Sequence, residues 1–563
     1  MPTADVPQAV SGTSGHVTEP DVLARGDFFW QRILLQWLVL SGLLFTWSLM
    51  RVPVPGVNEP HYLTKARHYW DPQWAASPPN AEWPAGDVFL DSSNPHLFFY
   101  STFGYLTHLL SLHDAAIAGR LLGLAVVAAG WIQFCRGLKF TGSTGAARSA
   151  APTWSELLVP LAIFLMIHAA GNWSGEWLVG GIESKVPAYG LLLAGIGCFL
   201  MSQQHRGAVL CGLATSFHPL VGGWGTICIG MALTHNWIFD ASSRPGIKRC
   251  LVSLGLFLGA AAVGTIPALQ LVVSSDPAAG AGADYLMVAY RLSHHLDPMT
   301  FPTANWRGFV TLLVVWVLLR CARTATKAEW QWERIVLASL LVAAVGVVVA
   351  WGPRPLKTLA FSGLRVKLLK FYPFRLADVL VPIAVAFEIA AYLSKFPPTF
   401  WSRVSAGMRK PTLITGALSL ILVTAFVPGS DQNPSDMNAA QRADWIATCE
   451  WVRENTPEDA VLYATNERWA VKWFAQRSEY VNYKDCPQDA ASIMEWNRRQ
   501  WDISDWQAMA FQDWRVTPEE LQALHEETGI THLIVSRMGP FLVDPVSEQG
   551  DFKVYVIGAS DSE

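Results

Sequence analysis

The stretch Asn58-Glu59-Pro60-His61-Tyr62-Leu63, with Ala66 beyond it, puts a carboxylate where the first long apolar run gives way to polar chain. The loop that follows adds Asp71, Glu82, Asp87 and Asp91, then His96. A carboxylate held where apolar and aqueous phases meet can take a proton from a hydroxyl, amine or amide as bonds are made. Chemistry at a membrane surface is the reading this position favours. A solvated loop that is acidic by chance is the plainer one.

Composition shows what must position these groups. The chain has 563 residues, 51% of them hydrophobic and only 15% charged, with 26 Trp. A soluble protein of this length would carry roughly 25% charge, and repeated apolar runs near 20 residues are the signature of membrane spans. A formal net charge of -4 without a basic stripe excludes a nucleic-acid partner. Of the 8 Cys, Cys135, Cys198, Cys211, Cys228 and Cys250 sit in apolar runs, and no C-x-x-C pair occurs. That excludes a zinc ribbon or a dithiol redox site. Cys449 and Cys486 are the two that an extracytoplasmic tail would allow to pair.

The charges between the apolar runs set a topology. Residues 1–24 read as a disordered cytoplasmic tail, and Phe28–Met50, between Arg25 and Arg51 with no cleavage pattern after it, as an anchor span. His96–Leu112 is polar enough to lie along the outer surface. His218-Pro219 splits Leu210–Leu233 into two short spans meeting at an outer turn. With those two readings Arg136/Lys139/Arg148, Arg244/Lys248/Arg249, Arg320/Arg323/Lys327/Arg334 and Arg403/Arg409/Lys410 all fall inside. About eleven spans result, N-terminus in and C-terminus out.

One loop disobeys. Arg354, Lys357, Arg365, Lys367, Lys370 and Arg375 fall outside by this count. Cations placed against the charge rule suit an anionic lipid phosphate. Basic side chains snorkelling from an interfacial helix are the alternative.

Asn58-Glu59-x-x-Tyr62-x-x-x-Ala66 after the first span resembles the D-E-x-x-Y-x-x-x-A pattern of the GT-C glycosyltransferases, which include protein O-mannosyltransferases and lipid A aminoarabinose transferases. His96 with its apolar followers is similar to their H-P-P-L element, and Gly119-Arg120-Leu121-Leu122 to the start of their second span. Gly212-Leu213-Ala214 is similar to the turn sequence before their next outer loop. The likeness covers most of residues 25–429, with a first outer loop over 51–115. It implies a polytopic α-helical GT-C-like fold and transfer of a sugar from a polyprenyl-phosphate donor to an acceptor outside the membrane.

The family's first acid is Asn58 here. An amide cannot accept a proton at neutral pH, so the resemblance moves the base to Glu59, Asp87 or Asp91. Arg365, Lys367, Lys370 and Arg375 are the expected phosphate holders. Asn58, His96, His218, His294, His295 and Asp297 are expected to line the substrate cavity. Glu176 and Glu183 would be the ligands of a divalent metal, which some relatives use; no cofactor is required by the residues. Glu183 paired with Lys185, and hydrogen-bonding rather than metal-binding roles for His294 and His295, are the simpler accounts.

From residue 430 to 563 no apolar run of span length occurs. Strands over 460–463, 480–482, 532–536 and 552–557 alternate with helices over 440–454, 467–476, 489–500 and 518–528, which suggests an extracytoplasmic α/β domain. It has neither G-x-G-x-x-G nor a P-loop. The expected partners are membrane lipids and a polyprenyl-phosphate-linked sugar, and the expected place is the cell membrane. A transporter or flippase of a lipid-linked molecule, and a non-catalytic assembly or sensor protein, are the other two function classes. The lack of internal repeats weighs against the first, and Asn58 keeps the second open.

Overall fold

The computed structural model describes residues 19–76, 86–138, 151–240, 244–273, 276–395, 407–465, 469–510 and 512–558. Glu82, Lys139, Arg148, Arg403 and part of the expected helix over 467–476 lie outside these residues, as does most of the expected tail over 1–24.

The chain runs through α1 (Glu19–Arg51), α2 (Glu59–Trp70), the short α3 (Leu97–Ser101) and α4 (Leu106–Leu109), then α5 (Leu112–Leu138), α6 (Trp154–Ala170), α7 (Lys185–Leu200) and α8 (Gln204–Phe217). It continues through α9 (Pro219–Phe239), α10 (Ile247–Val273), α11 (Pro277–Tyr285), α12 (Ser293–Leu296), α13 (Thr303–Cys321), α14 (Lys327–Ala350), α15 (Ser362–Leu369), α16 (Arg375–Lys395) and α17 (Arg409–Thr424). Among the described residues, six helical stretches are long and apolar enough to cross a membrane: Phe28–Arg51, Leu112–Leu138, Ile247–Gln270, Thr303–Cys321, Lys327–Ala350 and Arg375–Ser394. Trp154–Ala170 and Lys185–Leu200 are apolar but shorter. The expected count of about eleven spans is larger, because it also takes in α8, α9 and α17, which length and hydropathy do not select.

Local sequence explains the helix ends that matter. Pro219 lacks the N–H that would continue α8, so α8 stops at Phe217 and α9 begins at Pro219. The stretch His96–Leu112 is broken into α3, a single tight turn and α4, too short and too irregular to span anything. Leu251, Leu254 and Leu258 on α10, and Val310, Val314 and Val317 on α13, point outward and are exposed at helical spacing. An apolar stripe facing away from the protein is what a lipid-contacting helix presents.

The core of the bundle is the contact between α5 and α7. A methyl group on Gly130 would collide with the carbonyl oxygen of Gly190, and one on Gly137 would meet Gly197. Glycine at all four positions lets the two backbones touch. Arg51, the last residue of α1, ties that helix to the end of α17. It donates 3.0 and 2.8 Å bonds to the carbonyls of Thr424 and Val427 after α17, and pairs with Asp431 at 2.6 Å.

Beyond residue 430 come α18 (Ala439–Asn455), β1 (Val461–Ala464), α19 (Val471–Ala475), β2 (Ser478–Glu479), α20 (Ala490–Ala510), α21 (Pro518–Thr528), β3 (His532–Ser536), β4 (Ser547–Gln549) and β5 (Phe552–Val556). The sheet order is β2-β1-β3-β5-β4, with β1 parallel to β2 and β3, and β5 antiparallel to β3 and β4. Capping boxes at Asn438/Gln441 and Thr517/Glu520 start α18 and α21. Cys449 and Cys486 are both free, the latter 3.7 Å from the Met287 sulfur, so the pairing considered for them does not form. Val88 of the first loop and Ala283 of α11 share one apolar core with Tyr480, Ile493 and Trp496. The tail region is thereby docked onto the loops of the bundle.

Candidate active site

A cavity of about 770 Å³ lies where α2, the loop 171–185, the α8–α9 turn, the 291–296 segment and the 370–375 turn converge under the tail region. Asn58, His96, Glu176, Glu183, His218, His294, His295, Lys370 and Arg375 line it. Sequence reasoning placed these nine in a common site. Lys185, named there as the partner of Glu183, lines it too, and so do Arg291, Lys484 and His61, to which no role was given.

The other expected site residues are elsewhere, and Glu59 is the main correction. Its Oε1 accepts from Arg120 Nε at 2.7 Å and Ile182 N at 2.8 Å. Its Oε2 accepts from Gly56 N at 2.6 Å and Arg120 Nη2 at 2.7 Å. Every favourable direction on the carboxylate is taken, so it braces the fold and does not open on the cavity. Asp87 is likewise buried, accepting from the backbone N–H of Phe89, Leu90 and Glu479 and lying 3.1 Å from Lys472. Asp91 sits away from the cavity, 3.4 Å from His68. Arg365 is spent on the carbonyls of Val349, Trp351 and Ala360, and neither it nor Lys367 lines the cavity. Asp297 closes on Arg354 rather than facing the cavity.

Two buried carboxylates and two cations form the inner wall. Lys185 opens α7 with its Nζ 2.7 Å from Glu183 Oε1 and 3.7 Å from Glu176 Oε2, and 4.2 Å from the Trp177 ring centre. Arg375 opens α16. It donates to His218 Nε2 at 2.6 Å, stands 3.3 Å from Glu176 and lies over the Tyr372 ring at 4.1 Å. Because guanidinium can only donate, this contact requires an unprotonated Nε2 on His218. Asn58 donates its amide to Glu183 Oε2 at 3.0 Å. An amide here does what a carboxylate could not: it binds Glu183 without adding a third negative charge.

The loop carrying Glu176 is held by Asp378, one turn into α16. Asp378 accepts from the backbone of Trp173, Ser174 and Glu176 at 2.6, 2.9 and 3.0 Å and from the Ser174 hydroxyl at 3.0 Å. Arg375 and Asp378 lie on one face of the same helix, so a single turn both supplies a cation and fixes its acidic partner.

The outer wall comes from the tail and the 291 segment. Arg291 is buried, donates to the Lys484 carbonyl at 2.9 Å and lies over the Tyr483 ring at 5.0 Å. Burial, with Arg291 beside it, pulls the Lys484 ammonium down to about 8. Burial likewise pushes His96 and His295 down to about 3, so both are neutral. His295 Nδ1 contacts the Ser174 carbonyl.

Glu176 and Glu183 do not form a metal site as they stand. Among the described residues no three His, Cys, Asp or Glu side chains are grouped so that they could hold an ion. Glu176 and Glu183 have Lys185 between them instead.

Comparison with known proteins gives partial matches. The family described as "Domain of unknown function (DUF6798)" matches residues 443–503, which run from α18 to α20. No curated protein matches. The crystal structure of ArnT from Cupriavidus metallidurans bound to undecaprenyl phosphate is similar at 11% identity, covering 94% of this chain and 97% of that one, with a TM-score of 0.49. The archaeal oligosaccharyltransferase AglB from Archaeoglobus fulgidus, solved with an inhibitory peptide and a dolichol-phosphate, is similar at 12% identity. It covers 91% of this chain and 70% of that one, with a TM-score of 0.38.

Proposed function

We propose that this protein is a membrane glycosyltransferase that moves a sugar from a polyprenyl-phosphate donor to an acceptor entering the cavity from the outer side. The observation that carries this is the pairing of Arg375 and Lys185, at the first residues of two apolar helices, with Glu176 and Glu183 inside one cavity. A phosphate at the membrane boundary needs cations that are fixed before it arrives. The two carboxylates keep both cations in place while the site is empty. With Nη1 on His218 and Nε facing Glu176, Arg375 keeps Nη2 for a phosphate oxygen, and Lys185 adds a point charge as the bond to the sugar breaks. Leu220, Ala268, Met287, Leu292 and Phe371 give the cavity an apolar side suited to the polyprenyl chain. On this reading the N-terminus is cytoplasmic, about eleven spans form the bundle, and the tail is an extracytoplasmic domain, as the loop charges require.

The test is direct. Protein in vesicles is given polyprenyl-phosphate sugars radiolabelled in the sugar, and transfer of label and release of polyprenyl phosphate are followed. Both should occur with the parent and fall sharply with Arg375→Ala. A parent that binds undecaprenyl phosphate no better than Arg375→Ala would rule the reading out.

A further inference from the structure

The three acids expected to act as base lie outside the cavity, and Glu176 and Glu183 are engaged with Arg375 and Lys185. Resting on the transferase reading above, we infer that His61 takes the acceptor's proton, and that Asp485 of the tail region positions its ring for that task.

His61 lies in α2, two residues past Glu59, and lines the cavity with about 15% of its side chain exposed. Its Nδ1 is 3.1 Å from Asp485 Oδ1. Its ring is packed against Phe89 at 4.3 Å and Tyr62 at 5.5 Å between centres. Among the described residues nothing is hydrogen-bonded to Nε2. A carboxylate accepting from Nδ1 fixes the tautomer, so the lone pair is on Nε2.

Asp485 is built to stay ionised. Its Oδ2 is 2.9 Å from Lys472, and the same ammonium lies 3.1 Å from Asp87 and 2.9 Å from Glu479, all of them buried. Burial alone would raise the Asp485 carboxyl, but Lys472 and His61 outweigh it and hold it well below the usual carboxylate range. Asp87 and the tail thus hold a single lysine between them, and that lysine fixes the group that orients His61.

The charged and titratable groups that face His61 are Asp485 and Lys484 from the tail, Arg291 from the 291 segment and His96 from the first loop. Burial lowers its pKa, Asp485 opposes this, and the two cations add to the lowering, so the ring is neutral when the acceptor arrives. In the step, the acceptor oxygen or nitrogen forms a bond to the anomeric carbon. The bond from that carbon to the phosphate oxygen breaks, its electron pair staying with the phosphate held by Arg375 and Lys185. The acceptor's proton passes to His61 Nε2, and the imidazolium is balanced by Asp485 until water removes the proton.

The experiment uses the full chain in vesicles, with arabinose, mannose and glucose forms of polyprenyl phosphate labelled in the sugar, and undecaprenyl phosphate for binding. His61→Asn should lose at least about 100-fold in transfer while binding undecaprenyl phosphate within about twofold of the parent. Asp485→Asn should lower the rate and move the acid limb of the pH profile downward, since it removes the group that raises the His61 pKa. Selective ¹⁵N-histidine spectra should show His61 with its proton on Nδ1. If the parent transfers and His61→Asn transfers equally well, or if the spectra place the proton on Nε2, the inference is overturned while the transferase reading stands. No transfer by the parent from any of the donors would overturn both.

Discussion

Arg120 Nε and Nη2 each stand 2.7 Å from an oxygen of Glu59, one on either side of the carboxylate. The same guanidinium donates to the carbonyls of Val52 and Pro53 at 2.8 and 2.6 Å, so it ties the end of α1 and the start of α2 to α5. The motif's one acid is a brace.

Removing half of such a buried pair leaves the other half charged and unpartnered. Glu59→Ala should therefore destabilise the protein by about 3–5 kcal/mol, and Arg120→Ala by a similar amount. Thermal unfolding in detergent measures it. A Glu59→Ala protein as stable as the parent but unable to transfer would restore Glu59 as a reacting group.

Arg375→Ala should weaken undecaprenyl phosphate binding by about 1.5–3 kcal/mol, the worth of a charge-assisted hydrogen bond. Arg375→Lys should recover only part of it, because an ammonium cannot keep His218, Glu176 and a phosphate oxygen in one plane as the guanidinium does. Arg365→Ala and Lys367→Ala, whose side chains lie outside the cavity, should bind as the parent does. Lipid binding by fluorescence or calorimetry distinguishes these outcomes.

Asp378→Asn keeps the size of the side chain but turns one acceptor into a donor facing backbone N–H groups. It should cost about 1–3 kcal/mol of stability, and free the 171–176 loop, so that Glu176 no longer holds Arg375. Faster hydrogen exchange confined to that loop, with weaker lipid binding, is the expected result. Unchanged exchange there would mean that the loop is held by other contacts.

The burial of Glu479 sets the sign of a pH dependence. Burial pushes its carboxyl from 4.5 up to about 7, against the opposing pull of Lys472. Between those values the folded chain binds more protons than the unfolded one, so this group's contribution to stability falls as pH rises, by up to about 1.4 kcal/mol per unit. Glu479→Gln should flatten that slope between pH 4.5 and 7. Denaturation measured across the interval checks it, and an unaltered slope would assign the titration to another group.

Much of the architecture was legible because local signals were strong. Proline at 219 follows His218 at a helix break, whereas Pro160, Pro267 and Pro382 are carried inside helices, and the tail's caps and short apolar runs mark α18, α21, β3 and β5 within a residue or two. β4 was missed because Ser547-Glu548-Gln549 has no apolar alternation and exists only by pairing with β5. α20 runs ten residues past its expected end at 500, because Ile503, Trp506 and Ala510 carry the buried face onward from Trp496. The site divided along the same line. Arg375 could be found from a misplaced charge after a proline. No spacing shows that Arg120 would close on Glu59 across 61 positions, or that Asp485 would reach His61 across 424. Those contacts are made by tertiary packing, and the chain between them leaves no periodic trace.

The glycine contacts between α5 and α7 bear on all of this from a distance. α5 carries Arg120 and α7 begins with Lys185, so the depth at which one helix is seated against the other sets the height of the brace relative to the cation of the inner wall. With backbones touching at Gly130–Gly190 and again at Gly137–Gly197, a side chain at any of the four positions would push the two helices apart. They act as a keyed shaft, and Lys185 is set at its depth in the inner wall by that contact. The cavity's outer wall is fastened differently, through the buried Lys472–Asp87 pair and the apolar core that Val88 and Ala283 share with the tail. The two walls thus depend on different contacts: backbone against backbone on the inner side, side chains on the side where Lys484 stands.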